Sequence, residues 1–96
     1  MTKADTELFI VAARVLRDKG EDIIKDYRAN GLTMGTSVNV MAFLKEEEQL
    51  RNDMADEGVN AGNVPQLMED LQRIADIRQQ FEELYERIEA MKKGLH

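Results

Sequence analysis

The sequence predicts an all-α protein: a three-helix bundle with a long C-terminal helix, elongated or oligomeric through coiled-coil-like packing. Three observations carry that expectation. Apolar residues recur at three- and four-residue steps through three segments, and Gly-bearing joints separate those segments. The 96 residues include one Pro and no Trp, with aromatics at 5%, a composition that favours helices over strands. At this length the chain is one domain, 1–96, and folding buries roughly 60 to 65 per cent of the surface the unfolded chain exposes, enough for a modest core but not for a deep pocket.

The first helix is expected over about 6–29. Phe9, Ala12, Leu16, Ile23 and Tyr27 mark one face, and Leu8, Val11, Val15 and Ile24 widen it. Thr6 suits a cap, and Asn30–Gly31 is a strong stop. Gly20 falls on the buried stripe between Leu16 and Ile23. An interior Gly costs about 1 kcal/mol against Ala, so it either breaks the helix or admits a neighbouring backbone. A continuous or slightly kinked helix is the expectation.

The second helix is expected over about 37–57, with Gly58 as its stop. Val40, Phe43, Glu47, Leu50 and Met54 follow heptad spacing, Glu47 being the exception, and Glu47–Arg51 is an i,i+4 pair. Ahead of it, Ala29 to Leu44 carries no charge in a chain one-third charged. That stretch holds Gly31, Gly35, Thr33, Thr36, Ser37, Asn30 and Asn39, and falls short of the roughly 20 apolar residues a bilayer span needs. Its lack of charge is expected to reflect burial at a joint. Leu32 and Met34 would pin a connector over 32–36 to the core, and Ser37 or Asn39 would cap the helix.

The third helix is expected over about 65–93. Asn63 and Pro65 open it, Glu69 and Asp70 fall in its first turns, and Lys92, Lys93 and Gly94 close it, in agreement with the helix dipole. Leu67, Leu71, Ile74, Ile77, Phe81, Leu84, Ile88 and Met91 step at an average of 3.5 residues, as in a coiled-coil seam. Glu69–Arg73, Glu83–Arg87 and Glu89–Lys93 are acid-before-base pairs at i,i+4 on a solvated face. A helix of this length is about 43 Å long, whereas a compact chain of this size has a diameter of roughly 32 Å. Either the bundle is elongated, or one end of the helix projects and buries its stripe against a partner.

Composition narrows the function. The apolar run Leu8–Ala13 is too short and wrongly flanked for a signal peptide, and with no Cys there is neither a disulfide framework nor thiolate chemistry. A cytoplasmic protein is expected. Net charge is −6, concentrated in the middle and C-terminal parts, so neither a nucleic-acid backbone nor a membrane surface is an expected partner. Arg14, Arg17, Lys19, Lys25 and Arg28 interleave with Asp18, Glu21, Asp22 and Asp26, a pattern of mutual neutralisation. No enzymatic role, cofactor, metal or small-molecule substrate is expected. A bundle di-metal site wants Glu-x-x-His pairs and the one His is His96, while Ser37 and the threonines have no Cys or internal His beside them in the sequence to supply nucleophilic chemistry.

The expected function is non-enzymatic: a helical protein–protein interaction or assembly protein, a scaffold, adaptor or structural subunit, that self-associates, binds another protein, or both. Phe81, Leu84, Tyr85, Ile88 and Met91 are the expected partner contact, because the seam stays apolar to its last turn. Met34, Met41, Met54 and Met68 suit an adaptable surface and, more often, a core. Tyr27, Phe43, Phe81 and Tyr85 read first as core aromatics. An alternative is an acidic inhibitor that offers Glu46, Glu47, Glu48, Asp53, Asp56 and Glu57 to the basic groove of a nucleic-acid-binding protein.

A further alternative comes from "TMGTSVNV", Thr33 to Val40, which alternates apolar and polar residues imperfectly and precedes a helix, a Gly-bearing turn and a second helix. That order, over roughly 32–80, resembles a ribbon-helix-helix domain. The resemblance implies a DNA-binding dimer whose strands pair across a two-fold, with Ser37 and Asn39 on the strand. The strand lacks the Arg, Lys or Gln that reads base edges.

Overall fold

The protein, described here from a computed structural model, is all-helical over the described residues, 3–94, with side chains described from Thr6 onward. Helix α1 spans Lys3–Asn30, α2 spans Met34–Asp56 and α3 spans Pro65–Gly94, with one 3-10 turn at Ala61–Asn63 between α2 and α3. His96 lies outside the described residues. Each helix packs against the other two. No strand forms among the described residues, and 34–40 are the first turns of α2. The paired strand that a ribbon-helix-helix dimer needs is therefore replaced by helix.

The joints follow from local chemistry. Gly31 adopts φ +75° and donates its amide to the Tyr27 carbonyl at 2.8 Å, ending α1 in the left-handed conformation that an L side chain resists. Gly58 does the same after α2, with φ +66°. Helix α2 begins earlier than Ser37 or Asn39 because Thr33 caps it: the Thr33 backbone is extended and its Oγ1 accepts the Thr36 amide at 3.1 Å. The Thr36 hydroxyl donates to Asp26 Oδ2 on α1 at 2.9 Å, so the Thr33 hydroxyl, 2.9 Å away, is left to donate to Thr36. A short chain of hydroxyls thus ties the start of α2 to the end of α1, and Thr36 is fully buried.

The core gathers Ala13, Leu16 and Ile24 from α1, Val40, Phe43, Leu50 and Met54 from α2, and Leu67, Ile74, Ile77, Phe81, Leu84 and Ile88 from α3. Phe43 and Phe81 meet edge to face, with ring centroids 5.0 Å apart. Gly20 sits inside an unbroken α1 at this crossing. A Cβ built there would lie 2.8 Å from Phe43 Cε2 and 3.0 Å from Ile77 Cγ2, so the glycine admits neighbouring side chains rather than a neighbouring backbone.

The molecule measures 51 × 25 × 17 Å with a radius of gyration of 15.1 Å, against roughly 12.5 Å for a compact chain of this length. Elongation accommodates the length of α3, because α1, nearly as long, lies along it.

Candidate functional site

Once the core is closed, three groups of side chains stand out: the end of α3, the outer face of α2, and the groove between α1 and α2.

At the end of α3 the chain covers most of the expected partner contact itself. Phe81, Leu84 and Ile88 are buried among the three helices, Tyr85 is half-buried, and Met91 alone of the five is exposed. The heptad spacing identifies which face of α3 is buried. It does not identify the cover, which here comes from α1 and α2.

The outer face of α2 is uncharged for a different reason from the one expected. Leu32 is half-buried, but Met34 is 85% exposed and does not pin the connector. Thr36, Val40 and Phe43 turn inward, while Met34, Val38 and Met41 form a second stripe, at i, i+4 and i+7, on the opposite side of the helix and in solvent. Of the four methionines noted above, Met54 is buried and Met34, Met41 and Met68 are exposed.

On α1, Leu8, Val11 and Val15 are also exposed, at i, i+3 and i+7. Between this stripe and the C-terminal half of α2 runs a groove of two adjoining hollows, about 360 and 390 Å³, which share Ala12, Leu50 and Asp53. Phe9, Ala12, Leu16 and Leu50 line its floor, and Leu8 and Val15 its α1 wall. Its α2 wall is polar: Glu46, Gln49, Asp53, Asp56 and Glu57. Among the residues whose side chains are described, the cation lining the groove is Lys19, 3.3 Å from Glu46. Gln49 Nε2 donates to Asp53 Oδ1 at 2.8 Å, and among the side chains described, from Thr6 onward, no cation lies within ion-pair reach of Asp53, Asp56 or Glu57.

The six acids singled out in the sequence therefore separate. Glu47 is buried, held by Arg51 Nε at 2.7 Å and, from α3, by Arg78 Nη1 at 3.6 Å. Glu46 is bridged to Lys19, Glu48 is exposed, and Asp53, Asp56 and Glu57 wall the groove. The i,i+4 pairs expected on α3 do not form among the described residues. Arg73 instead reaches α1, where its Nε donates to Glu21 Oε1 at 2.7 Å. Sequence reasoning also missed the buried carboxylate of Asp70, which binds Arg17 of α1.

No group of three or more acidic, His or Cys side chains is placed to hold a metal ion among the described residues, and no helix there is long and apolar enough to cross a membrane. Compared with known proteins, the chain matches no family model, no curated protein and no solved structure.

Proposed function

We propose that the protein is a non-enzymatic helical interaction protein that self-associates by coiled-coil-like packing of exposed helix faces and presents others to partner proteins. One observation carries the reading: the core closes within a single chain, yet large apolar side chains stay in solvent in stripes at helical spacing, Met34, Val38 and Met41 on α2 and Leu8, Val11 and Val15 on α1. Scattered apolar residues on a surface need no explanation, whereas aligned ones mark contact faces. The outer face of α2 is the self-association surface in this reading. It is free of charge from Met34 through Leu44, so two copies meet there without desolvating an ion or opposing like charges. A cytoplasmic setting accords with the absence of Cys.

Light scattering over a micromolar concentration series tests the proposal: the wild-type mass exceeds that of one chain, and Val38→Glu returns it to one chain. A wild-type monomer throughout the series would end the self-association half of the reading. An acidic inhibitor has less to rest on, because Glu47 turns inward and Glu46 is neutralised by Lys19, which breaks the row of carboxylates such an inhibitor would present.

A further inference from the structure

The geometry points to the α1–α2 groove as the docking site for an amphipathic helix of another protein, apolar on one face and carrying Lys or Arg along the flank that meets α2. This rests on the reading of the chain as an interaction protein and names the chemistry of one partner.

The two walls of the groove differ in kind. Leu8 and Val15 make the α1 side apolar, while Asp53, Asp56 and Glu57 make the α2 side anionic with no cation in reach among the side chains described from Thr6 onward. An apolar helix alone would cover the floor but desolvate those carboxylates without replacing their hydration. An acidic flank would add repulsion. A basic flank satisfies both walls, and the long stems of Lys and Arg let the charge reach α2 while their methylenes lie over Ala12 and Leu50.

The dimensions suit a helix. From Leu8 to Lys19 the groove spans twelve residues of α1, eleven helical rises or about 16 Å, three turns. A helix lying there completes a fourth position beside the three-helix core, in the ridge-and-groove contact common between helices. A second copy supplies the wrong flank. Next to its own apolar stripe, α1 exposes Glu7, Asp18, Arg14 and Lys19, acids and bases in equal number, with Arg14 drawn toward Asp70 at 3.7 Å and Lys19 bridged to Glu46 at 3.3 Å, and the exposed stripe of α2 carries no charge to offer.

The test uses the full chain as bait for a displayed library of helical peptides of about 18 residues, long enough to overrun three turns. Enriched sequences are expected to carry apolar residues at i, i+3 or i+4 and i+7 with Lys or Arg along one flank. Synthetic copies of them should bind about tenfold more weakly when salt rises from low to physiological strength or above. Val15→Glu should abolish binding, and the pair Asp56→Lys with Glu57→Lys should weaken it about tenfold or more. All three positions border solvent, and circular dichroism confirms that the variants stay folded.

Failure to enrich any helix, enrichment of helices without a basic flank, or binding that survives Val15→Glu would each overturn the inference. A dimer of the chain that Val15→Glu dissociates would overturn it too, by making a second copy the occupant. Peptide binding abolished by Val38→Glu but not by Val15→Glu would sink the groove and leave the proposed function standing. A monomeric chain that binds basic helices through Val15 would do the reverse for self-association.

Discussion

Arg17 donates through Nη1 to Oδ1 of Asp70 at 2.6 Å, joining α1 to α3 across 53 residues of sequence. Asp70 is almost wholly buried. Its second oxygen has no hydrogen bond and only Arg14 Nε nearby, at 3.7 Å. A carboxylate so placed is held by its partner's charge, and removing either member leaves the other poorly compensated. Asp70→Ala should destabilise the protein by about 1 to 3 kcal/mol, below the range for fully buried pairs because the Arg17 side chain is 30% exposed. Replacing both members, Arg17→Met with Asp70→Leu, should recover most of that loss, since apolar pairs of similar volume often match buried ion pairs. Urea unfolding of the single and double variants measures this. A double variant as unstable as the sum of its singles would show that the two residues act independently.

Gly20 makes a second, sharper prediction, because local and tertiary preferences oppose each other there. Gly20→Ala favours the helix by about 1 kcal/mol. The new methyl would sit 2.8 Å from Phe43 Cε2, and Phe43 is held edge-on by Phe81 and cannot swing away without losing that contact. Overpacking of this kind costs roughly 1 to 3 kcal/mol, so net destabilisation of about 1 kcal/mol is expected. Combining it with Phe43→Leu should cost less than the two changes added together, because the smaller side chain frees the space. Thermal unfolding of the three variants gives the coupling. Strict additivity would mean that Gly20 and Phe43 do not compete for that volume.

These two residues also mark how far the sequence could be read. Periodicity placed Gly20 on the buried face, as it placed Phe43, Phe81 and Ile88, because a three- to four-residue repeat reports the face of a helix directly; Glu47 was expected as an exposed acid and is instead buried. The stops at Gly31 and Gly58 were equally legible, since each needs only a local backbone preference. The cap was not: Thr33, Ser37 and Asn39 are all acceptable capping residues, and the choice depends on Thr36 finding Asp26 on another helix. Arg17 with Asp70, Arg73 with Glu21 and Arg78 with Glu47 stayed hidden for the same reason. Rules for neighbours on one helix see only i,i+3 and i,i+4 pairs, and these cross between helices. The candidate surface was the least legible part. An apolar stripe looks alike whether its own chain covers it, as on α3, or leaves it in water, as at Met34, Val38 and Met41.

The hydroxyl chain at the first joint predicts a local effect. Thr33→Ala removes the oxygen that accepts the Thr36 amide and the hydroxyl beside Thr36 Oγ1. Loss of an N-cap of this kind costs about 1 kcal/mol. Hydrogen exchange should quicken first at the amides of Thr36 and Ser37, while amides in the middle of α3 follow only the global loss. Thr33→Ser keeps the oxygen and should restore protection. Uniformly faster exchange in Thr33→Ala, with no excess at Thr36, would show that the cap does not hold the start of α2.

Val38 and Ile88 separate contact from core. Both are β-branched apolar residues on a helix, yet Val38 is 60% exposed and Ile88 is buried against the other two helices. Val38→Glu should leave the unfolding free energy of the isolated chain within about 0.5 kcal/mol of wild type, as surface substitutions do, while reducing the assembled mass. Ile88→Glu places a carboxylate in the core with no partner and should unfold the end of α3 or the whole chain, by several kcal/mol. Unfolding curves and light scattering on the same samples distinguish the two effects. Val38→Glu that lowers stability without changing mass would identify the outer face of α2 as packed within one chain. Ile88→Glu that stays fully folded but loses mass would return the partner contact to the end of α3.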